Sequence, residues 1–274
     1  MAPKFKTQIK GIIRFSYLSE SGYAMSTKGI DAVRDIIYDP DRLARRFLLF
    51  ERLALHSVKL QHNADFKVGV LVGDTLPGDA KAHLKALVKD VPQMQIVTLP
   101  VLPIAHALKR AFKALGDDPD ATHTATFRLD DDDAMHRLTT DRIAKLADAL
   151  LAIRNAKVPF AIAFNRGFYL DPAQGEQFLS EWYEKTPLGI GLTLVTPVDA
   201  RINVYRRNHR RLGEYFDCHT EIGRPMYIRS VHEDNDSAAK PTGRKGELSA
   251  EEVERALWRG FGLTLDDLKV LNVS

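Results

Sequence analysis

The chain reads as an α/β protein, a single domain whose central mixed, mostly parallel sheet is flanked by helices. Short β-branched apolar runs alternate along it with longer segments of helical period, the pattern that layers helices onto a sheet. Its 274 residues, 45% hydrophobic and 27% charged, match an ordinary globular composition. A chain of this length buries roughly 70–75% of its unfolded surface and needs no covalent staples.

The elements follow in order. Residues 9–17 (IKGIIRFSY) read as a first strand and 43–62 as a helix, with Phe47, Leu48, Phe50, Leu53, Leu55 and Val58 near helical period. Residues 66–72 (FKVGVLV) form a buried strand ending at Gly73–Asp74. A helix over 80–89, a strand over 95–99 and a helix over 105–115 come next, the last stopped by Gly116 and Pro119. The strand 124–129 (TATFRL) runs directly into Asp130–Asp131–Asp132–Asp133. A helix over 140–155, a strand over 160–170 and a short helix over 174–185 follow. Residues 201–215 are amphipathic or irregular, and 225–231 (PMYIRSV) is the last strand. A Pro/Gly/Lys-rich loop at 237–248 leads to a final helix at 250–260, opened by a capping box of Ser249 and Glu252. This divides the domain into a first half at 1–135, a second at 136–236 and an extension at 237–274.

Several classes fall away on composition. With 39 Lys+Arg against 36 Asp+Glu, and cations interleaved with carboxylates, the chain lacks the electrostatic footprint of a nucleic-acid binder. The single cysteine, Cys218, cannot form an internal disulfide or a thiolate metal site, which fits a reducing compartment. The N-terminal stretch lacks the apolar core of a signal peptide, and no window reaches the ~20 apolar residues of a membrane span. The expectation is a cytoplasmic protein.

Four consecutive aspartates after an apolar strand need a cause. At roughly 4–8 Å and an effective dielectric of ~20, like charges repel by about 2–4 kcal/mol per pair, so the run must be solvated or neutralised by a cation. A solvated turn is the plain alternative. The position favours a site: in open α/β sheets ligands bind beyond the C-terminal strand ends. Carboxylate oxygens are what Mg²⁺ or Mn²⁺ prefers, and Mg²⁺ needs only one or two of them alongside phosphate oxygens.

A strand ending in Asp-x-Asp after several strand–helix units resembles the glycosyltransferase A fold, in which that motif holds a divalent ion gripping a nucleotide-sugar diphosphate. The ion stabilises the charge that develops on the leaving diphosphate. The string Phe127-Arg128-Leu129-Asp130-Asp131-Asp132-Asp133-Ala134 and the later Ser230-Val231-His232-Glu233-Asp234-Asn235-Asp236-Ser237 together resemble the rhamnosyltransferase family. Arg14-Phe15-Ser16-Tyr17 and the region 42–50 also fit it, so the resemblance spans about 10–237.

The resemblance implies a metal-dependent glycosyltransferase that moves a sugar, rhamnose by the family's name, from a nucleotide-diphosphate donor to a glycan, lipid-linked or other hydroxyl acceptor. It places Asp130 at the ribose or metal, Asp132 on the metal, and Asp133 as a supporting or sugar-contacting group. Asp131 is expected to point away, by strand alternation. His232 is either a late metal ligand or a satisfied structural histidine. Glu233, Asp234 and Asp236 either extend the acidic lining or are solvated.

Ser16 and Tyr17 close strand one where a base would lie. Asp74 is placed to accept from a pyrimidine N–H, and Arg128 to meet the aspartates or a phosphate. Each has an ordinary structural reading as well. The basic run 206–211 is either a salt-bridged face or a contact for the diphosphate, an anionic acceptor or a membrane surface. The basic loop 240–245 is a candidate lid. For an inverting reaction the base candidates are Asp171, Glu214, Asp217 and Glu221, with Asp217 favoured for its aromatic surroundings. Rival readings are a metal- or glycan-binding module of the same fold and a metal-dependent phosphatase. No P-loop or dinucleotide fingerprint is present.

Overall fold

The computed structural model describes residues 5–20, 29–232, 235 and 240–271. The first half contains β1 (Thr7–Arg14), α1 (Ile30–Ile37), α2 (Pro40–Leu49), α3 (His56–Lys59), β2 (Lys67–Gly73), α4 (Gly78–Val88), β3 (Met94–Leu99), α5 (Ile104–Ala114) and β4 (His123–Asp130). The second contains β5 (Ala134–Met135), α6 (Thr139–Ile153), β6 (Phe160–Phe164), β7 (Arg166–Leu170), β8 (Leu179–Tyr183), β9 (Thr193–Pro197), β10 (Asp217–Glu221) and β11 (Tyr227–Ser230). The extension adds β12 (Arg244–Lys245), α7 (Ala250–Phe261) and α8 (Leu265–Lys269).

Two sheets result. A seven-stranded sheet runs β10-β6-β9-β4-β1-β2-β3, and a five-stranded one runs β12-β8-β7-β11-β5. In the larger sheet β4, β1, β2 and β3 are parallel, and β9 inserts antiparallel between β4 and β6. The chain proceeds outward from β1 through β2 to β3, then returns to place β4 on the other side of β1. That reversal lies between β1 and β4, so the crevice beyond their C-terminal ends is where a ligand site belongs. Arg14 and Asp130 are register partners at that point. Deeper in the same pair, Gly11 faces Phe127, and a Cβ on Gly11 would lie 2.2 Å from the ring.

The first-half elements agree with the sequence to within a few residues. The first long helix begins at Pro40 rather than 43, because Asp39 caps it by accepting from the Arg42 N–H at 2.9 Å and Pro40 fits the first helical position. It continues through a π-helical stretch, Phe50–Leu55, into α3.

The second half departs further. The run 160–170, expected as one strand, is β6 and β7 in different sheets, split at Asn165. The Asn165 side chain donates to the Glu184 carbonyl at 3.1 Å, and its backbone exchanges hydrogen bonds with Glu184 and Glu221. The helix expected over 174–185 is a 3₁₀ segment, Pro172–Gln177, followed by β8. Gly175 at φ 60, ψ −121 breaks helical geometry, and β8 is claimed by β7 on one side and β12 on the other. Strands β9 and β10 and helices α1 and α8 carried no expectation. Residues 201–215 are irregular with two short 3₁₀ turns.

The Ser249–Glu252 capping box is present. Leu257 and Phe261 of α7 pack with Phe168, Leu49 and Leu53, so the extension covers the smaller sheet. Among the described residues no helix is long and apolar enough to cross a membrane.

Candidate active site

The four aspartates form the crossover between the sheets, leaving the large one at β4 and entering the small one at β5. Each is tied to a different part of the molecule. Asp130 accepts from Arg14 of β1 at 2.9 Å. Burial would raise its carboxyl, but the guanidinium groups of Arg14 and Arg128 outweigh that and hold it below the usual range.

Asp131 and Asp132 share Arg46, which projects from α2. Both Asp131 oxygens meet its guanidinium, and Asp132 Oδ2 accepts from Nη1 at 2.9 Å. Asp131 is 1% exposed and does not point away as alternation suggested, because the strand ends at Asp130 and the turn carries the next side chain inward to Arg46. Burial lifts its carboxyl to about 6 against the opposing pull of Arg46. Asp132 moves the other way, since Arg46 and His232 together overcome the burial penalty.

The last two ties reach the small sheet. Asp132 Oδ2 is 3.0 Å from His232 Nε2 and accepts from Asn235 Nδ2 at 3.0 Å. Asp133 Oδ1 accepts the Ser230 N–H at 3.0 Å, and burial followed by the charge of Asp132 pushes its carboxyl well above the usual range. Burial thus disfavours the charged form of Asp133, which eases the repulsion among four carboxylates in sequence.

The residues present fit a divalent ion of limited protein coordination. Asp132 Oδ2 and His232 Nε2, 3.0 Å apart, are a carboxylate oxygen and an imidazole nitrogen, the donor types such an ion would use. Among the described residues no three His, Cys, Asp or Glu side chains gather into a ligand set. An ion here would take Asp132 and His232, with phosphate oxygens and water completing its shell, rather than sit in an all-protein cage.

The four aspartates, Arg14 and Arg46 line one cavity together with Ser16, Tyr17, Arg42, Arg128, His209 and Arg229. Ser16 has φ 43, a left-handed conformation unusual outside glycine, and its hydroxyl receives Arg42 Nη1 at 3.4 Å. The Tyr17 hydroxyl donates to the Pro100 carbonyl at 2.6 Å, and burial raises it to about 12, so the ring is fixed and uncharged. Arg128 stacks on the Tyr205 ring at 4.4 Å.

Other expected residues lie elsewhere. Asp74 is exposed at the end of β2, outside the cavity lining. Asp217 does not reach the cavity: it sits on the edge strand β10, and its carboxylate pairs with Arg154 at 2.7 Å. Glu221 is held by Arg142, Glu214 by Arg211, and Asp171 caps a 3₁₀ turn through the Ala173 N–H. The loop 240–245 is fastened by β12 and by Thr242, whose N–H and hydroxyl both go to Glu184, so it is not free to act as a lid. Glu233, Asp234 and Asp236 lie outside the described residues.

Arg46 and Arg229 had no role assigned from sequence, and His209 entered only as part of the basic run 206–211. For Arg46 a signal exists: Arg42 and Arg46 are spaced four apart on the helix that follows strand one, so both face one side. Nothing local in the sequence singles out His209 or Arg229.

A β1–β4 switch point lined by acidic and guanidinium side chains places the candidate site at the C-terminal strand ends of an α/β fold with a mixed, mostly parallel sheet. The family whose description is "Putative rhamnosyl transferase" matches residues 8–244, and the chain belongs to that family. No curated protein matches the sequence. Among solved structures it is similar to Staphylococcus aureus TarS 1–349 in complex with UDP-GlcNAc, at 11% identity and TM-score 0.44, covering 92% of this chain and 64% of that one. A second structure of TarS 1–349 gives 11% identity and TM-score 0.43, with 81% of this chain covering 60% of that one. A "putative nucleotide-diphospho-sugar transferase" from Desulfovibrio desulfuricans G20 gives 8% identity and TM-score 0.38, covering 83% and 82%. The chain thus spans about 60% of TarS 1–349.

Proposed function

We propose that this protein is a metal-dependent glycosyltransferase moving a sugar, rhamnose by the family's description, from a nucleotide-diphosphate donor to a glycan or lipid-linked hydroxyl. The observation that carries the reading is the convergence of Asp132 and His232, 100 residues apart in sequence, at the switch point of the large sheet. Asp132 and His232 would hold Mn²⁺ or Mg²⁺ there, which would supply charge neutralisation for a departing diphosphate.

The chain's own groups supply the rest. Ser16 and Tyr17 form the part of the lining suited to a nucleoside, with the ring fixed by its bond to Pro100. Arg14 orients Asp130 toward a ribose. Arg46 keeps Asp131 and Asp132 in place, so the loop is organised without reorganisation on donor binding. No base is assigned to Asp171, Glu214, Asp217 or Glu221, since each is committed outside the cavity.

Calorimetric titration with a panel of nucleoside diphosphates, with Mn²⁺ and with chelator, tests the reading. One nucleotide should bind and lose about tenfold or more in affinity on chelation or in Asp132→Ala. The absence of nucleotide binding in both conditions would end it. Metal binding without nucleotide affinity would point instead to a binding module.

A further inference from the structure

We propose that β10, an edge strand of the large sheet, is a dimerisation surface that pairs antiparallel with β10 of a second copy of this chain. The inference is independent of the transferase reading and begins from backbone groups. β10 has one neighbouring strand, β6, and none of its five residues is buried. The Glu221 carbonyl accepts the Asn165 N–H at 3.0 Å, so Glu221 turns its backbone toward β6. Alternate residues of a strand do the same, hence Asp217 and His219 bond inward while Cys218 and Thr220 turn their N–H and C=O outward. Among the described residues no backbone group pairs with that outward row.

Charge is a common way to blunt an open edge, and β10 carries Asp217 and Glu221. Here both carboxylates are balanced from the side of one helix. Arg154, just past the end of α6, pairs with Asp217 at 2.7 Å, and Arg142 in its first turn donates to Glu221 at 3.0 Å. The edge is therefore neutral at each end. Four of the eight large apolar side chains exposed among the described residues flank it: Ile153, Val158, Tyr215 and Ile222. Ile153 ends α6 beside Arg154, while Val158 and Tyr215 each stand two residues before the register pair Phe160–Asp217. These three gather where β10 begins, and Ile222 follows where it ends.

The occupant that matches all of these features is a second copy. A twofold axis through His219 sets Cys218 opposite Thr220 of the other copy, and each such pair exchanges two N–H···O bonds. The same register sets Asp217 opposite Glu221, so the Arg154–Asp217 pair of one copy lies beside the Arg142–Glu221 pair of the other. Two cations then meet two anions at each end. Ile222 of one copy comes opposite Phe216 and next to Tyr215 of the other, which covers exposed apolar surface at both ends at once. An unrelated extended peptide would satisfy the backbone and none of the side-chain matches.

Sedimentation of the full chain from about 1 to 100 μM decides it, and a monomer–dimer equilibrium is expected in that range. His219→Lys puts two ammonium groups opposite each other at the axis, and Ile222→Asp puts a charge against Tyr215. Both positions are exposed, so each variant should keep its far-ultraviolet circular dichroism while raising the dimer dissociation constant about tenfold or more. Thr220→Cys places a thiol opposite Cys218 of the other copy and should yield a covalent dimer under oxidised glutathione. The unaltered chain should not, because its single cysteines lie diagonally across the axis, beyond the ~7 Å that a disulfide spans. A chain that stays monomeric at about 100 μM overturns the proposal. So does a dimer that neither His219→Lys nor Ile222→Asp weakens, since the copies would then meet elsewhere. Covalent dimers formed as fast by the unaltered chain as by Thr220→Cys overturn the antiparallel register.

Discussion

The two sheets are built on different principles. The interior of the large sheet is carried by apolar side chains such as Ile12, Ile13, Val70, Phe127 and Leu129, all fully buried. The small sheet buries charge. Glu181 accepts from Arg166 at 2.6 Å, Glu184 accepts from the Tyr169 hydroxyl at 2.6 Å, and both carboxylates are nearly inaccessible. An apolar scaffold tolerates many substitutions of similar volume, whereas a buried polar network fails when one partner is removed. The aspartate loop joins the two regimes, so its geometry depends on both.

The largest expected effect comes from cutting that joint. Arg46→Ala leaves Asp131 and Asp132 buried without their shared cation, and breaking a buried pair costs roughly 3–5 kcal/mol. Urea unfolding should show a loss of this size, with nucleotide affinity falling in parallel. A loss below about 1 kcal/mol would mean that the loop is held by the sheets alone.

How far the sequence could be read follows the same division. Strands β1 to β4 are legible because each carries a core of β-branched or apolar residues bounded by turn residues, and β2 is buried along nearly its whole length. The acidic loop is legible as a site because four adjacent carboxylates require a cause. Their partners are not, because Arg46 lies 85 residues from Asp131 and pairing at that distance leaves no local trace. Strand β8 was hidden for a related reason. Its inward Glu181 is polar and looks like a helix's solvent face until Arg166 is known to meet it. Asn165 splits one apolar run between two sheets through backbone and amide hydrogen bonds that no hydropathy pattern encodes.

Acid titration separates the two regions next. His136 follows β5 of the small sheet, is 7% exposed, and receives the Leu138 N–H on Nδ1 at 3.0 Å. Burial, helped by Arg224 and Arg137, drops its basicity to about 4 from an ordinary 6.5. Between those values the unfolded chain takes up a proton that the folded chain refuses. Stability therefore falls as pH drops through that window, by up to about 3 kcal/mol for this residue. Urea midpoints at pH 7 and pH 4.5 should differ more in the unaltered protein than in His136→Gln. Equal slopes in the two proteins would remove His136 from the account. His123, buried in the large sheet, has both ring nitrogens hydrogen-bonded, to Thr122 Oγ1 and the Ala156 carbonyl, and is the natural comparison.

The smallest effect is expected where the large sheet ends. Asp217 lies on the edge strand β10 with its side chain 76% exposed, paired to an Arg154 that also covers the Phe160 ring at 4.7 Å. An exposed pair contributes roughly 0–1 kcal/mol, and the arginine keeps its apolar contact without the carboxylate. Asp217→Asn should therefore shift the urea midpoint within error, and sugar transfer should match that of the unaltered protein. Because the carboxylate is isosterically removed, an intact fold with transfer reduced a hundredfold or more would restore Asp217 as an acceptor base. It would also require that edge to approach the cavity during turnover, a movement of β10 against β6 that five register pairs oppose. Unchanged transfer would confine the chemistry to the seam between the sheets, where the charged groups of both meet.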